Sequence, residues 1–169
     1  MNNQLISTKC VDTFTTLEAG LNELTPKMIR ESINDIEKLM LAAPAADKVA
    51  IETIHNFADN VYTRTVFMKA GSLITGKIHK LEHVVIIGQG SASVISEEFG
   101  AKVIQAPMVF VSRPVVKRML FVHEDMVWTT VHQNPTNTRD LDELEKLLIL
   151  PDYEQLPQGD DKCHGSQQA

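Results

Sequence analysis

The stretch Gly71–Gly90, GSLITGKIHKLEHVVIIGQG, decides how the chain is read. His79 and His83 sit in it between glycines, with the β-branched run Val84-Val85-Ile86-Ile87 behind them. Val, Ile and Thr between glycine punctuation indicate two strands joined through turns. In an extended segment side chains alternate, so Lys77, His79, Leu81 and His83 share one face and Lys80 and Glu82 the other. Two imidazoles on one face are the best site candidate in the chain. The same residues spell H-x-x-E-H, an inverted zinc-protease motif that needs a helix to bring positions i and i+4 together. Gly76 before it, and the β-branched run with Gly88 and Gly90 after it, argue for strand instead. Gly88-Gln89-Gly90 precedes a strand rather than a helix, so it reads as a turn and not as a dinucleotide loop.

Outward from this stretch the pattern changes twice. Residues 1–20 are polar and Thr-rich, the composition of a loosely docked arm. Thr25-Pro26 then offers a capping hydroxyl followed by proline at a first helical position. Ile29, Ile33, Ile36 and Met40 recur at helical spacing, which predicts an amphipathic helix from Pro26 to Leu41, ending before Pro44. Its apolar face can pack on its own domain or on a partner. Residues 1–46 are thus an arm and a helix. From residue 47 to 133 the expected strands are Val49–Ile54, Val61–Met68, Leu73–Ile78, His83–Ile87, Ser91–Ser96, Lys102–Ala106, Met108–Val111, Arg118–Val122 and Val127–His132. No crossover helix interrupts Val61 to His132, so the expectation is an antiparallel all-β sandwich or barrel and not a parallel α/β sheet. Thr138 or Asp140 caps a second helix, 134–150 with its approach, with Leu141, Leu144, Leu147 and Leu148 on one face. The polar tail, 151–169, has the composition of a disordered segment.

A chain of 169 residues, 43% hydrophobic and 22% charged, is long enough for one domain with a core. Its net charge of -6 argues against nucleic acid and against an anionic membrane surface as partners. No run approaches the roughly 20 apolar residues of a membrane helix, and the first residues lack the apolar stretch of a secretion signal. Cys10 and Cys163 form no metal or redox spacing, which fits a cytoplasmic, reduced protein; a clasp between the termini is the alternative.

The arrangement from Gly76 to Gly90, followed by Pro107 to Arg118, resembles the two-motif core of the cupin superfamily. Counting back from Gly90, His83 stands where that family has a glutamate, His79 at its second histidine and Lys77 at its first. In the second motif, Arg113 to Arg118 form the turn, with Val115 at the glycine and Arg118 at the histidine. The resemblance covers Val61 to His132 and implies a mainly β fold: a single cupin-like barrel, or double-stranded β-helix, flanked by the N-terminal amphipathic helix and the C-terminal helix. GKIHKLEH, KR and VWTTVH before an acidic helix also resemble small cupin-like proteins of tailed bacteriophages. That implies a host-cytoplasm setting, in which a barrel can sequester a host metabolite or signal.

Two constellations carry the candidate chemistry. A divalent transition metal needs about three protein ligands, and His79 and His83 with His132 are the leading set, His123 and Glu82 the alternatives. Lys77 and Arg118, at family ligand positions, place cations there and offer no lone pair. The second constellation is cationic: Lys77, Lys80, Lys117, Arg118 and Arg64, which with the imidazoles suit an anionic small molecule such as a nucleotide, sugar phosphate or organic acid, although strand parity turns Lys80 away from His79. Trp128 can stack on a ligand ring or pack in the core. Three functions follow: an anion-binding barrel lined by His79, His83 and Arg118; a metal-dependent isomerase, lyase or oxygenase using His79, His83 and His132; or a structural homo-oligomer. Cupins commonly dimerise through sheet edges, so the resemblance implies a homodimer.

Overall fold

The computed structural model describes residues 5–6, 11–20 and 23–151. The tail beyond Pro151, Cys10 and Cys163 lie outside them. Among the described residues eleven strands and three α-helices follow in this order: β1 (Leu5–Ile6), α1 (Val11–Gly20), α2 (Pro26–Ala42), β2 (Lys48–Val49), β3 (Glu52–Ala58), β4 (Val61–Met68), β5 (Leu73–Thr75), β6 (Ile78–His79), β7 (His83–Ser96), β8 (Gly100–Gln105), β9 (Met108–Ser112), β10 (Arg118–Gln133), α3 (Leu141–Leu148) and β11 (Ile149–Leu150). All their strand pairings are antiparallel.

Two long strands organise the whole. β7 and β10 pair along their lengths, and both bend where their register slips between Val122 and Trp128. The first half of β10 has β5 on its other edge, and the second half has β4. The two halves of β7 likewise take β9 and then β8. One layer therefore runs β2-β1-β5-β10-β7-β8 and the other β3-β4-β10-β7-β9. Val66, Met68, Ile74, Val85, Ile87, Val94, Leu120, Val122 and Met126 fill the space between them. This is the rolled, double-stranded β architecture expected from the sequence.

The bend corrects the reading of Gly88-Gln89-Gly90 as a turn: it lies inside β7. Gly90 has φ +83, and a Cβ there would stand 2.5 Å from the Asp125 carbonyl oxygen and 2.8 Å from that of Glu124. Glycine is needed because two backbones touch at a bulge, not because the chain reverses. The same bulge joins Arg118–Val122 and Val127–His132 into one strand. By contrast, Leu73–Ile78 is broken at Gly76, whose N–H donates to the Arg118 carbonyl at 2.8 Å. Val49–Ile54 is likewise divided between β2 and β3.

The first layer is apolar on both sides. Ile74, Val94 and Leu120 face the core, while their neighbours Leu73, Ile95 and Met119 lie under Ile29, Ile33, Ile36 and Met40 of α2. α2 starts as its spacing requires, with the Thr25 hydroxyl accepting from the Met28 N–H at 3.3 Å. Residues 11–20, whose composition suggests a loose arm, form α1 instead. Its Phe14 is 2% exposed and packs 5.8 Å from Phe121, so one buried aromatic decides what the polar composition concealed.

The second layer has a bare outer face. Ile54, Thr65, Thr129, Ile86 and Val109 make one cross-strand row, and Asn56, Thr63, Val131, Val84 and Val111 the next. Neither row carries a formal charge.

At the other end, Asp140 caps α3 by accepting from the N–H groups of Asp142 (2.9 Å) and Glu143 (3.2 Å). The helix stops at Leu148, two residues short of its expected end, because Ile149 and Leu150 pair with His79 and Ile78 of β6. The apolar run Leu147–Leu150 hides that switch from helix to strand.

Candidate metal centre

Three different elements bring three histidines together. His79 ends β6, His83 begins β7, and His132 lies near the end of β10. The link between the first two is not a continuous strand. The chain bends at Lys80 and Leu81, and Leu81 is exposed rather than sharing a face with the histidines. The Lys80 N–H donates to the Leu148 carbonyl (2.8 Å) and the Val115 N–H to the His79 carbonyl (2.8 Å), which ties the bend to α3 and to the β9–β10 turn. Ring centroids are 4.2 Å apart for His79–His83, 4.6 Å for His83–His132 and 5.0 Å for His79–His132. One nitrogen from each lies within 4.8 Å of the others.

Electrostatics keep the cluster neutral. Burial holds His79 down to about 2, helped by His83, His132, Arg118 and Arg64 in that order. Burial, then His83 and Arg64, holds His132 down to about 3. His83 is lowered by burial too, against the pull of the Leu81 carbonyl and with Arg118 acting in the same sense as burial. The His83 Nδ1 lies 3.3 Å from that carbonyl, which only accepts, so Nδ1 carries the proton and Nε2 keeps the lone pair. Three neutral imidazoles with converging nitrogens fit a divalent transition metal.

The cations expected to oppose a metal are engaged elsewhere. Lys77 lines the cavity but pairs with Glu145 of α3. Arg118 also lines it, donating to the Ser112 hydroxyl at 2.9 Å and pairing with Glu98 at 3.3 Å, with its guanidinium 5.9 Å from the centre of the Phe110 ring. Lys117 is directed to Glu37 of α2 and is not among the cavity-lining residues. Trp128 lines the cavity and meets Phe110 edge-on at 6.0 Å. Arg64 lines it as well, with Nε and Nη2 buried and without a hydrogen-bond partner. Of the alternative ligands, Glu82 is exposed, and His123 points elsewhere, to the Ser93 hydroxyl at 2.9 Å.

Sequence reasoning missed Tyr62, Thr130, Leu148 and Ile149, all of which line the cavity. Tyr62 is fully buried, stacks on His132 at 6.0 Å and lies 2.7 Å, through its hydroxyl, from His55 Nδ1. Strand parity held that signal: in VYTRTVFM, Tyr62, Arg64, Val66 and Met68 share one side. Leu148 and Ile149 carried none, since only the β6–β11 pairing brings them there.

No family model matches the chain, and no curated protein matches it in sequence. Solved structures are similar to parts of it. A cupin-like protein of Thermotoga maritima is 14% identical, with 59% of this chain and 84% of that chain covered and a TM-score of 0.42. An RmlC-like cupin family protein with a double-stranded β-helix fold, from Methanocaldococcus jannaschii, is 11% identical over 50% of this chain and 84% of that one, with a TM-score of 0.40. A cupin-2 domain containing protein from Shewanella frigidimarina is 12% identical over 59% and 91%, with a TM-score of 0.40. At these scores the likeness adds nothing to what the strand pairings establish, and the site stands on its own geometry.

Proposed function

We propose that the protein is a metal-dependent small-molecule pocket, in which His79, His83 and His132 hold one divalent transition metal and the space beside them takes an anionic ligand. The observation that carries this reading is the convergence of three neutral imidazole nitrogens within 4.8 Å of one another. Three protein ligands leave a coordination position open, where a bound metal supplies Lewis acidity to a ligand or activates water. The chain's own residues do the rest. Arg64 and Arg118 make the cavity positive, and Tyr62, Val66, Met68, Trp128 and Leu148 give it a largely apolar wall.

Elemental analysis of untagged full-length protein tests this. One equivalent of zinc, iron, manganese or nickel is expected, with affinity falling more than about a hundredfold in His79→Ala and in His132→Ala, since losing even an outer-shell partner costs 10–100-fold. A protein that takes up none of these ions after dialysis against each overturns the reading.

A second reading, assembly as a homodimer, is favoured by the uncharged outer face. Val109 and Val111 are 67% and 60% exposed there, on a strand that pairs only with β7 among the described residues. Two chains of net charge -6 can meet across such a face with little repulsion. Light scattering is expected to give twice the chain mass for the wild type and the single mass for Val109→Lys combined with Val111→Lys. A monomeric wild type sinks this second reading.

A further inference from the structure

We infer that Arg64 is the anchor for a short-chain monocarboxylate, bound with its head group on the guanidinium and its hydrocarbon tail against Val66 and Trp128. This rests on the reading of the cavity as a ligand pocket and names the class of ligand it takes.

Among the described residues that line the cavity, Arg64 is the cation without a carboxylate partner. Its Nε and Nη2 are buried with no hydrogen-bond partner, and among the described residues no carboxylate lies within ion-pair distance of it. Glu145 acts on it only from a distance, being paired with Lys77. Arginine keeps its proton under burial that would neutralise a lysine. A partly buried charge with two idle donors is costly to keep unless an anion or water meets it.

The strand register supplies a ruler. Going inward along the β4–β10 ladder, Tyr62 faces His132, Arg64 faces Thr130, Val66 faces Trp128 and Met68 faces Met126. Successive inward-facing rungs are two residues, roughly 6.6–6.8 Å, apart. By backbone position His132 occupies one level, Arg64 the next and Val66 and Met68 those beyond, with Ile74 and Leu120 completing the apolar wall. A ligand in this column meets one charged fork and then hydrocarbon.

Size and charge narrow the class. The cavity is about 80 Å³, a volume on the scale of a few heavy atoms rather than of a sugar ring with its phosphate. A nucleotide or sugar phosphate does not enter it whole. The hydroxyls of a sugar would also lie unpaired against Val66, Met68 and Leu120, an unfavourable burial. A carboxylate matches the guanidinium with two parallel hydrogen bonds and one unit of charge. A phosphate dianion brings a second charge and a third oxygen that a single guanidinium fork does not meet.

Calorimetric titration of the full-length protein, metal-free and zinc-loaded, tests the assignment with butanoate, its neutral isostere butanamide, propyl phosphate and glucose 6-phosphate. Butanoate is expected to bind at least tenfold more tightly than butanamide in both forms. Arg64→Gln is expected to remove that preference, and Arg64→Lys, which keeps the charge without the fork, to retain part of it. The melting temperature of Arg64→Gln should not fall, because the substitution removes an unpaired buried charge, so lost binding there reports the missing guanidinium and not misfolding. Equal affinity for butanoate and butanamide, tighter binding of either phosphate, or a preference unchanged in Arg64→Gln overturns the assignment. Arg64-dependent butanoate binding in a protein that takes up no metal supports it while removing the metal reading. Stoichiometric metal without the butanoate preference removes this assignment and leaves the metal reading in place.

Discussion

Lowering the pH from 7 to 4.5 is expected to strip the metal-free protein of on the order of 5 kcal/mol of folding stability. His79 and His132 are held down to about 2 and about 3 in the folded chain, against 6.5 for a free imidazole. Below 6.5 the unfolded chain takes up protons that the folded chain refuses. The stability these groups contribute is therefore complete above 6.5, and it declines as pH falls until the folded values near 3 and 2 are reached. pH 4.5 lies about two units below the unfolded value of each group and above both folded values, at about 1.4 kcal/mol per unit. His83 is shifted in the same direction and adds to the slope. Urea unfolding at a series of pH values, after chelation, reads the effect directly. A flat midpoint from pH 7 to 4.5 would mean the imidazoles are not buried together.

Gly90→Ala is expected to cost about 2–5 kcal/mol, because two penalties coincide. At φ +83 a side chain adopts a backbone region that L-residues disfavour by roughly 1–2 kcal/mol. The added Cβ also stands 2.5 Å from a backbone oxygen of Asp125 and 2.8 Å from one of Glu124, which cannot swing aside as a flexible side chain would. Strand β10 must shift at its bulge, and Thr130 and His132 lie just beyond it. Gly100→Ala is the control: it has φ +73 but nothing within 4 Å of an added methyl, so it carries the conformational penalty alone. Denaturant midpoints for the two variants separate the terms. Equal losses would show that β7 and β10 do not touch at the bulge.

The strands were legible from the sequence wherever local composition governs them. VYTRTVFM and Val84–Ile87 form strands in the positions their β-branched residues dictate, and Thr25-Pro26 opens α2. The Gly90 signal was present, but its meaning was not. A glycine at a hairpin turn and a glycine at a strand crossing look alike until the partner strand is known. The histidines followed the same rule. His79 and His83 stood out as neighbours in sequence, whereas His132 was one candidate among several, because its approach depends on the register of β10 against β7. Lys117 and Arg118 are adjacent and chemically similar, yet the first reaches Glu37 and the second lines the cavity. Arg118 opens β10 while Lys117 stands just before it, and only the placement of α2 over the first layer says which side each takes.

β10 alone contributes Arg118, Leu120, Trp128, Thr130 and His132 to the cavity, and neighbours flank it along both edges through most of its length. The hollow is thus cast rather than hinged: its contour cannot loosen without tearing the ribbon at the centre of the molecule. The segment of α3 and β11, which lends Leu148 and Ile149 to the wall, is held by far less: two rungs to β6 and the Lys77–Glu145 pair.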